Sequence, residues 1–312
     1  MRTNNTRLDA AEHVWFNRQL EAVDAQQYDV IFPPNKARSL IPTQNGIPAW
    51  ANVYVWREFE KLGTAKIISN TADDLPAAGV KGTENSKVIK QLGASYHYDV
   101  REIKQAHATG MPLDVHRAAA ARHAIETLTD EVLALGSAAN GLDGLLTLSN
   151  TTSYTLADKA AGGKTWAVAT PDEIVKDIAD GIKAIKIAMK NAGEQPFEMF
   201  DVVLPIGPYM DMAQKRMGDG SDTTVLKYVL KNLPNVNSIT DWFRCDNAGA
   251  GGSIDRMVIY PKNPVVLAGI VPEEYTPQEP EKRGLRYNIA ATASCGGVVC
   301  RYPVAICYGD GL

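Results

Sequence analysis

Two of the five histidines, His116 and His123, stand seven residues apart in MPLDVHRAAAARHAIETLTDEVLALG, residues 111–136. Glu126 follows the second by three residues, and Asp130 follows Glu126 by four. Imidazoles at helical spacing beside carboxylates are the residue types of a metal site or an acid–base pair. Geometry argues against both. On a helix rising ~1.5 Å per residue the two histidines sit about 10 Å apart along the axis. That is too far to share one ion without a ligand between them, and the intervening residues on that face, Ala119 and Ala120, have no donor atom. A metal-dependent enzyme using His116, His123 and Glu126 is the reading this spacing disfavours.

The remaining motifs are weaker. GGKT at 162–165 has the end of a phosphate-binding loop, but that loop needs a further glycine where Asp158 stands, and its helix starts only near Pro171. AGAGGS at 248–253 lacks a following lysine and leads into a strand, so it lacks the helix N-terminus that binds anions. Both read as surface loops. There is no GxSxG and no HExxH. Cys245, Cys295, Cys300 and Cys307 form no CxxC pair and all lie beyond His123, the last histidine, so they read as buried free thiols on strands. Aromatic residues do not interleave with Lys and Arg as base-stacking surfaces do. The sequence assigns no catalytic, cofactor-binding or metal-ligating residue, and no cofactor.

The elements that would carry these residues have a clear order. Pro112 opens a long helix that runs to about Leu135, with Gly136 as its stop. Ala118, Ala121, Ile125, Leu128, Val132 and Leu135 step by three and four and form a core stripe. His116 and His123 fall on the opposite face with Thr127 and Asp130, and Glu126 falls on the flank. Alanines 118–121 allow a neighbour to approach closely. Upstream, residues 8–23 read as a helix with Phe16, Leu20 and Val23 on a stripe, and residues 24–50 as an extended arm rather than a packed element. Residues 53–56 and 65–68 read as one strand of a long hairpin, DDLPAAGVKG as its tip, and 87–90 with 95–98 as the returning strand. A lone hairpin is marginal in water, so one this long calls for a partner.

A short helix over 99–110 precedes the long one. After Gly136 comes SAANGLDGLLTLSNTTSYT, a Gly- and Ser/Thr-rich connector. Thr170-Pro171-Asp172-Glu173 is a strong helix start, continued by Ile174, Ile178, Ile182, Ile185 and Met189 to a stop at Gly193. Residues 200–204 make a buried-type strand, and short helices follow near 208–217 and 222–232. Residues 245–253 form a loop. Strands at 257–260 and 265–271, and more within 285–309, complete an α+β pattern without βαβ repeats.

Composition fits a globular protein with a substantial core: 312 residues, 45% hydrophobic, 22% charged. The net charge of −4 argues against a protein that grips nucleic acid through its phosphates, though not against one that surrounds it. The opening MRTNNTRLDAAEHVW has no apolar h-region, and the most apolar run, Val265–Val271, is far too short for a bilayer. The expectations are a cytosolic protein and no membrane partner.

Arm, long hairpin, long helix, α/β insertion and returning strands, in that order, resemble the Hong Kong 97-like fold of tailed-bacteriophage major capsid proteins and encapsulins. The stretches FNRQLEAVDAQQYDV, GTAKIISNTADDLP, REIKQAHATGMPLDVHRAAAARHAIETLTDEVLALG with GLDGLL, and YPVAICYGDGL are similar to one branch of phage capsid proteins. The resemblance implies an N-terminal arm over 1–50, an extended E-loop over 51–98, and a P-domain from 99–140 and 255–312 with a spine helix over about 112–135. It implies an A-domain over 141–254. It further implies a structural protein of the virion, not an enzyme, that self-assembles in the host cytoplasm. The product would be an icosahedral shell of hexamers and pentamers around double-stranded DNA, with portal, scaffolding and decoration proteins as further partners. An encapsulin-type nanocompartment is the alternative on the same fold. Some family members crosslink Lys to Asn; Lys81 and Lys87 near the hairpin tip are the lysines available, and no crosslink is expected.

Overall fold

The computed structural model describes residues 32–44, 46–67, 76–109, 116–218, 220, 222–250 and 252–312. The chain divides into two units, Met1–Pro34 and Asn35–Leu312, and every element named below lies in the second. The helix expected at 8–23, residues 24–31 of the expected arm, and the expected helix start at 112–115 lie outside the described residues.

In chain order the first elements are helix α1 (Ala37–Leu40) and strands β1 (Thr43–Gln44), β2 (Val53–Leu62), β3 (Gly79–Val88) and β4 (Lys90–Asp99). Helices α2 (Val100–Thr109) and α3 (His116–Leu135) follow, then β5 (Gly136–Ser137), β6 (Leu142–Asp143) and β7 (Thr152–Thr155). Next come α4 (Pro171–Asn191), β8 (Phe200–Leu204), α5 (Ile206–Gln214), α6 (Val225–Asn232) and β9 (Val236–Asp241). Strands β10 (Arg256–Tyr260), β11 (Leu267–Ile270), β12 (Glu273–Pro277) and β13 (Glu281–Arg283) lead to β14 (Arg286–Cys295), β15 (Gly297–Cys300) and β16 (Cys307–Asp310).

The start of α4 is written in its sequence. The Thr170 hydroxyl accepts from the Glu173 amide, the Glu173 carboxylate accepts from the Thr170 amide, and Pro171 fills the first turn. Gly193, just past the end, takes φ +75°, the left-handed conformation that stops a helix. Ile174, Ile178, Ile182, Ile185 and Met189 all turn inward. They pack on a five-stranded sheet ordered β7-β16-β10-β8-β9. Gly181 lets the helix sit low on this sheet: a Cβ there would lie 2.7 Å from the Ile259 methyl. All five residues of the interior strand β8 are buried, including Asp201, whose carboxylate accepts from Asn237 Nδ2 at 2.7 Å.

The long strand β14 organises a second sheet. All ten of its residues pair with β4, from Arg286↔Asp99 to Cys295↔Lys90, while β12 and β13 share its other edge. The long helix α3 lies against β4 and β14 and ends where Gly136 turns left-handed at φ +71°. Its core face is rotated from the expected stripe. Ala121, Ile125 and Val132 are buried, but Leu128 and Leu135 are 42% and 39% exposed, and Thr129, Asp130 and Leu133 are buried instead. The physical reason is the number of neighbours. With α1 on one side and β4, β12 and β14 on the other, the helix buries a broad arc rather than a narrow stripe.

The hairpin is shorter and differently paired than expected. β2 pairs with β3 in unbroken register, Val53↔Val88 to Leu62↔Gly79. Residues 65–67 are not strand, and Gly79 to Gly82 are strand rather than tip. Residues 95–98 belong to β4, paired with β14, because alternating residues find a long partner strand in the body. Lys87 stands opposite Tyr54 at the hairpin's base, not near its tip.

Two further expectations are corrected. Residues 37–44 are packed rather than an extended arm: Ala37, Leu40 and Ile41 are buried, and β1 adds to the edge of β11. The connector after Gly136 is core: Leu142, Leu145, Leu146 and Leu148 are buried. Its glycines mark close approach, not looseness. A Cβ on Gly144 would lie 2.3 Å from the Gly136 amide nitrogen.

Candidate assembly surfaces

The β2–β3 hairpin carries an apolar face that no described residue of its own chain covers. Pleat alternation and register put Val53, Val55, Phe59, Val80 and Val88 on one side, all exposed, Phe59 and Val80 each by 68%. Arg57 and Glu84 pair across that face at 3.0 Å. β2 and β3 form a sheet of two, so each keeps an unpaired edge. Exposed apolar side chains on an open-edged ribbon mark a surface built to be covered by another chain.

The hairpin's other side is anchored at the base. Tyr54 and Trp56 stack at 5.9 Å and pack on Ile89, Ile270 and Val299. Arg301 donates to the Tyr54 hydroxyl at 3.0 Å, and Lys87 forms an ion pair with Asp143 on β6. A cleft of about 320 Å³ under the base is lined by Glu58, Lys87, Asp143, Asn150 and Arg301 among others.

Residues 36–44 act as a strap. The Ala37 amide donates to Asp130 Oδ1 at 2.7 Å, and Lys36 Nζ reaches Asp241 Oδ2 at 2.7 Å. Tyr260 Oη donates to the Leu40 carbonyl, and Lys262 Nζ to that of Ser39. Asp130 also accepts from Arg244 Nε at 2.7 Å. One buried carboxylate therefore joins the spine helix, the strap and the segment after β9. The sequence reading placed Asp130 on the outer face; a polar residue that caps two donors from distant segments gives no local signal.

The histidine constellation does not assemble. His116 is exposed, His123 is half-buried, and Glu126 pairs with Arg122 at 2.7 Å. Among the described residues no group of three His, Cys, Asp or Glu side chains is placed to hold a metal ion. Elsewhere on the spine, Arg117 grips Glu102 through both nitrogens at 3.0 and 3.1 Å, which holds the Glu102 carboxyl below its usual range.

GGKT lies in a surface loop, with Gly162 and Gly163 both left-handed. The preceding lysine, Lys159, points inward to a buried ion pair with Asp177, which also accepts from Trp166 Nε1 at 2.8 Å. AGAGGS is also a loop, closed by the Gly249 amide donating to the Ile254 carbonyl. All four cysteines are free thiols; three stand on strands, while Cys245 ends a 3-10 turn. Burial pushes the thiols of Cys300 and Cys307 up to about 12, far from a reactive thiolate at neutral pH. Among the described residues no helix is long and apolar enough to cross a membrane.

The sequence profile of the family described as major capsid protein matches residues 63–312, most of the chain. No curated protein matches the sequence significantly. Among solved structures, the chain is similar to the capsid of the Myoviridae phage XM1, with a TM-score of 0.79 and 19% identity over 99% of this chain and 100% of that one. It is similar to the capsid of a native GTA particle, with a TM-score of 0.66 and 9% identity over 98% and 99% of the two chains. A virus-like particle from Pyrococcus furiosus gives 0.56 and 16% identity over 86% and 90%. At such identities the likeness is one of fold, and that fold is the capsid fold the resemblance implies.

Proposed function

The chain belongs to the major capsid protein family and is a shell-forming capsid protein, and on that premise we propose that its copies form the hexamers and pentamers of an icosahedral shell around double-stranded DNA. The single observation that carries this reading is the hairpin, an apolar face with two open edges that one subunit leaves uncovered. Contact with a second copy would bury it, and many modest contacts repeated over a closed shell add to a large collective stability. In domain terms we assign residues 1–50 to the arm, its 37–44 segment strapped to the body, and 51–98 to the extended loop, its last strand joined to β14. Residues 99–140 with 255–312 make the P-domain, and 141–254 the A-domain. The role is structural and without a catalytic site. Assembly takes place in the host cytoplasm, with portal, scaffolding and decoration proteins as further partners.

Phe59→Asp combined with Val80→Asp tests this reading. Both side chains are exposed, so the subunit keeps its melting temperature, while electron microscopy shows shells for the wild-type protein and none for the variant. Shells of normal shape from the variant would refute the role given to the hairpin face. Co-purification of a cargo enzyme with the shells, in place of DNA, would favour the nanocompartment alternative.

A further inference from the structure

One surface of the α4–α6 layer carries six lysines against two acidic residues, Asp172 and Asp180. On α4, Lys176, Lys183 and Lys190 repeat every seven residues, so they lie along one side of the helix about 10 Å apart, and Lys186 flanks them. The three are exposed, opposite the isoleucine face that packs on the sheet. On α6, Lys227 and Lys231 are exposed, opposite buried Val225 and Val229. α6 touches both α4 and β9, while α4 covers β7 and β16. A sheet lying between two helices would hold them apart, so α4 and α6 share one side of it and turn their lysines outward together.

Several basic residues elsewhere in the body are engaged. Lys36, Lys87, Lys159, Arg117, Arg244 and Arg256 each hold a carboxylate. Among the described residues none of the six lysines on α4 and α6 has a carboxylate within ion-pair distance. Asp177 of α4 is buried against Lys159, and Glu173 is spent on the helix cap. Asp172 and Asp180 remain as the acidic residues toward this outer side. Lys186 with Lys190, and Lys227 with Lys231, are like charges one turn apart, an arrangement that weakens an isolated helix. Among the described residues no carboxylate pairs with any of these four lysines.

We propose that this lysine face contacts the phosphate backbone of the enclosed double-stranded DNA, so that the α4–α6 side of the sheet lines the lumen. The inference rests on the reading of the protein as a shell around DNA. Lysine is a compact point charge on a flexible stem and suits contact with phosphates in no particular register. The two helices carry a single aromatic residue beside these lysines, the half-buried Tyr228 on α6, where a single-strand site stacks successive bases on several; this favours duplex over single strands. The net charge of −4 makes the rest of the surface repel DNA, so contact stays confined to this patch.

The test uses unassembled full-length subunits and a short random-sequence duplex, with binding followed by fluorescence anisotropy over a range of salt. The wild-type protein binds with an affinity that falls steeply as salt rises. Replacing Lys176, Lys183, Lys190 and Lys227 together by Gln lowers the slope of log affinity against log salt by ~0.9 for each lysine removed. Lys183→Gln alone gives a quarter of that change and serves if the quadruple variant misfolds. Equal slopes for wild type and variants, or no binding by the wild type, overturn the proposal. In a second arm, closed empty shells are mixed with external duplex. Exclusion of the duplex is expected; capture that disappears in the lysine variant would put the face outside and overturn it. Failure of the wild-type protein to form shells counts against the capsid reading, and the subunit titration then still decides whether the lysines bind duplex DNA.

Discussion

Asp130→Ala is the sharpest single test of how the fold is tied together. The Asp130 and Arg244 side chains are 2% and 11% exposed, at 2.7 Å from each other. The other carboxylate oxygen accepts from the buried Ala37 amide. Removing the carboxylate leaves a guanidinium nearly out of water without a counter-charge, and an amide without an acceptor. Breaking a buried pair by deleting one partner costs about 3–5 kcal/mol. A stranded amide adds roughly 1–3 kcal/mol, with overlap because the two losses share one site. The expected total is ~5 kcal/mol, a third or more of the ~5–15 kcal/mol that holds a typical domain. Denaturant unfolding of the unassembled subunit measures it. Most of the loss comes from the stranded charge, so adding Arg244→Met should recover about half. A single variant costing under ~1 kcal/mol, or a double variant as unstable as the sum of the two singles, would refute the reasoning.

Two further predictions concern local geometry. Gly144→Ala should abolish soluble folded subunit on expression, because its methyl meets the Gly136 amide at 2.3 Å and the Ala134 carbonyl at 2.5 Å, both fixed backbone. The Glu173 carboxyl is pulled down to about 2, chiefly by the Thr170 and Ala160 amides that donate to it. Its stabilising effect is present above its ordinary value of 4.5 and disappears as pH falls from there through about 2. The stability gap between wild type and Glu173→Gln should therefore be constant near neutral pH and close across that acidic window, as followed by pH-dependent urea melts.

Local signals made part of this fold legible. The Thr170–Glu173 cap, the isoleucine ladder of α4, the largely apolar strand β8 and the Gly136 stop each depend on residues within one turn or one strand. What escaped depends on distant partners. Residues 37–44 are too short to show a period, and partners far along the chain, among them β11, Asp130 and Tyr260, make them core. The alternation at 95–98 is a real strand, but sequence does not say that its mate is β14 rather than β2. The glycines after α3 look like a loose linker until the backbones they bring together are known. The candidate assembly surface was legible as a long hairpin with little to bury it. Its apolar face follows from the register of β2 against β3, which sequence alone does not fix.

The place of β16 has a consequence for how the chain is made. It lies between β7 and β10 in the five-stranded sheet, parallel to one and antiparallel to the other. Residues 307–310 leave the ribosome after β7 and β10, their two neighbours, so until they emerge the sheet keeps a slot with two open edges. Strand pairing across more than 150 residues, Cys307 with Thr152, is a late and slow step, since loop closure must precede the contacts that reward it. A ribosome that stops short of β16 releases a chain whose sheet cannot close. A subunit cut short before Cys307 would carry β7 and β10 with their inner edges unpaired.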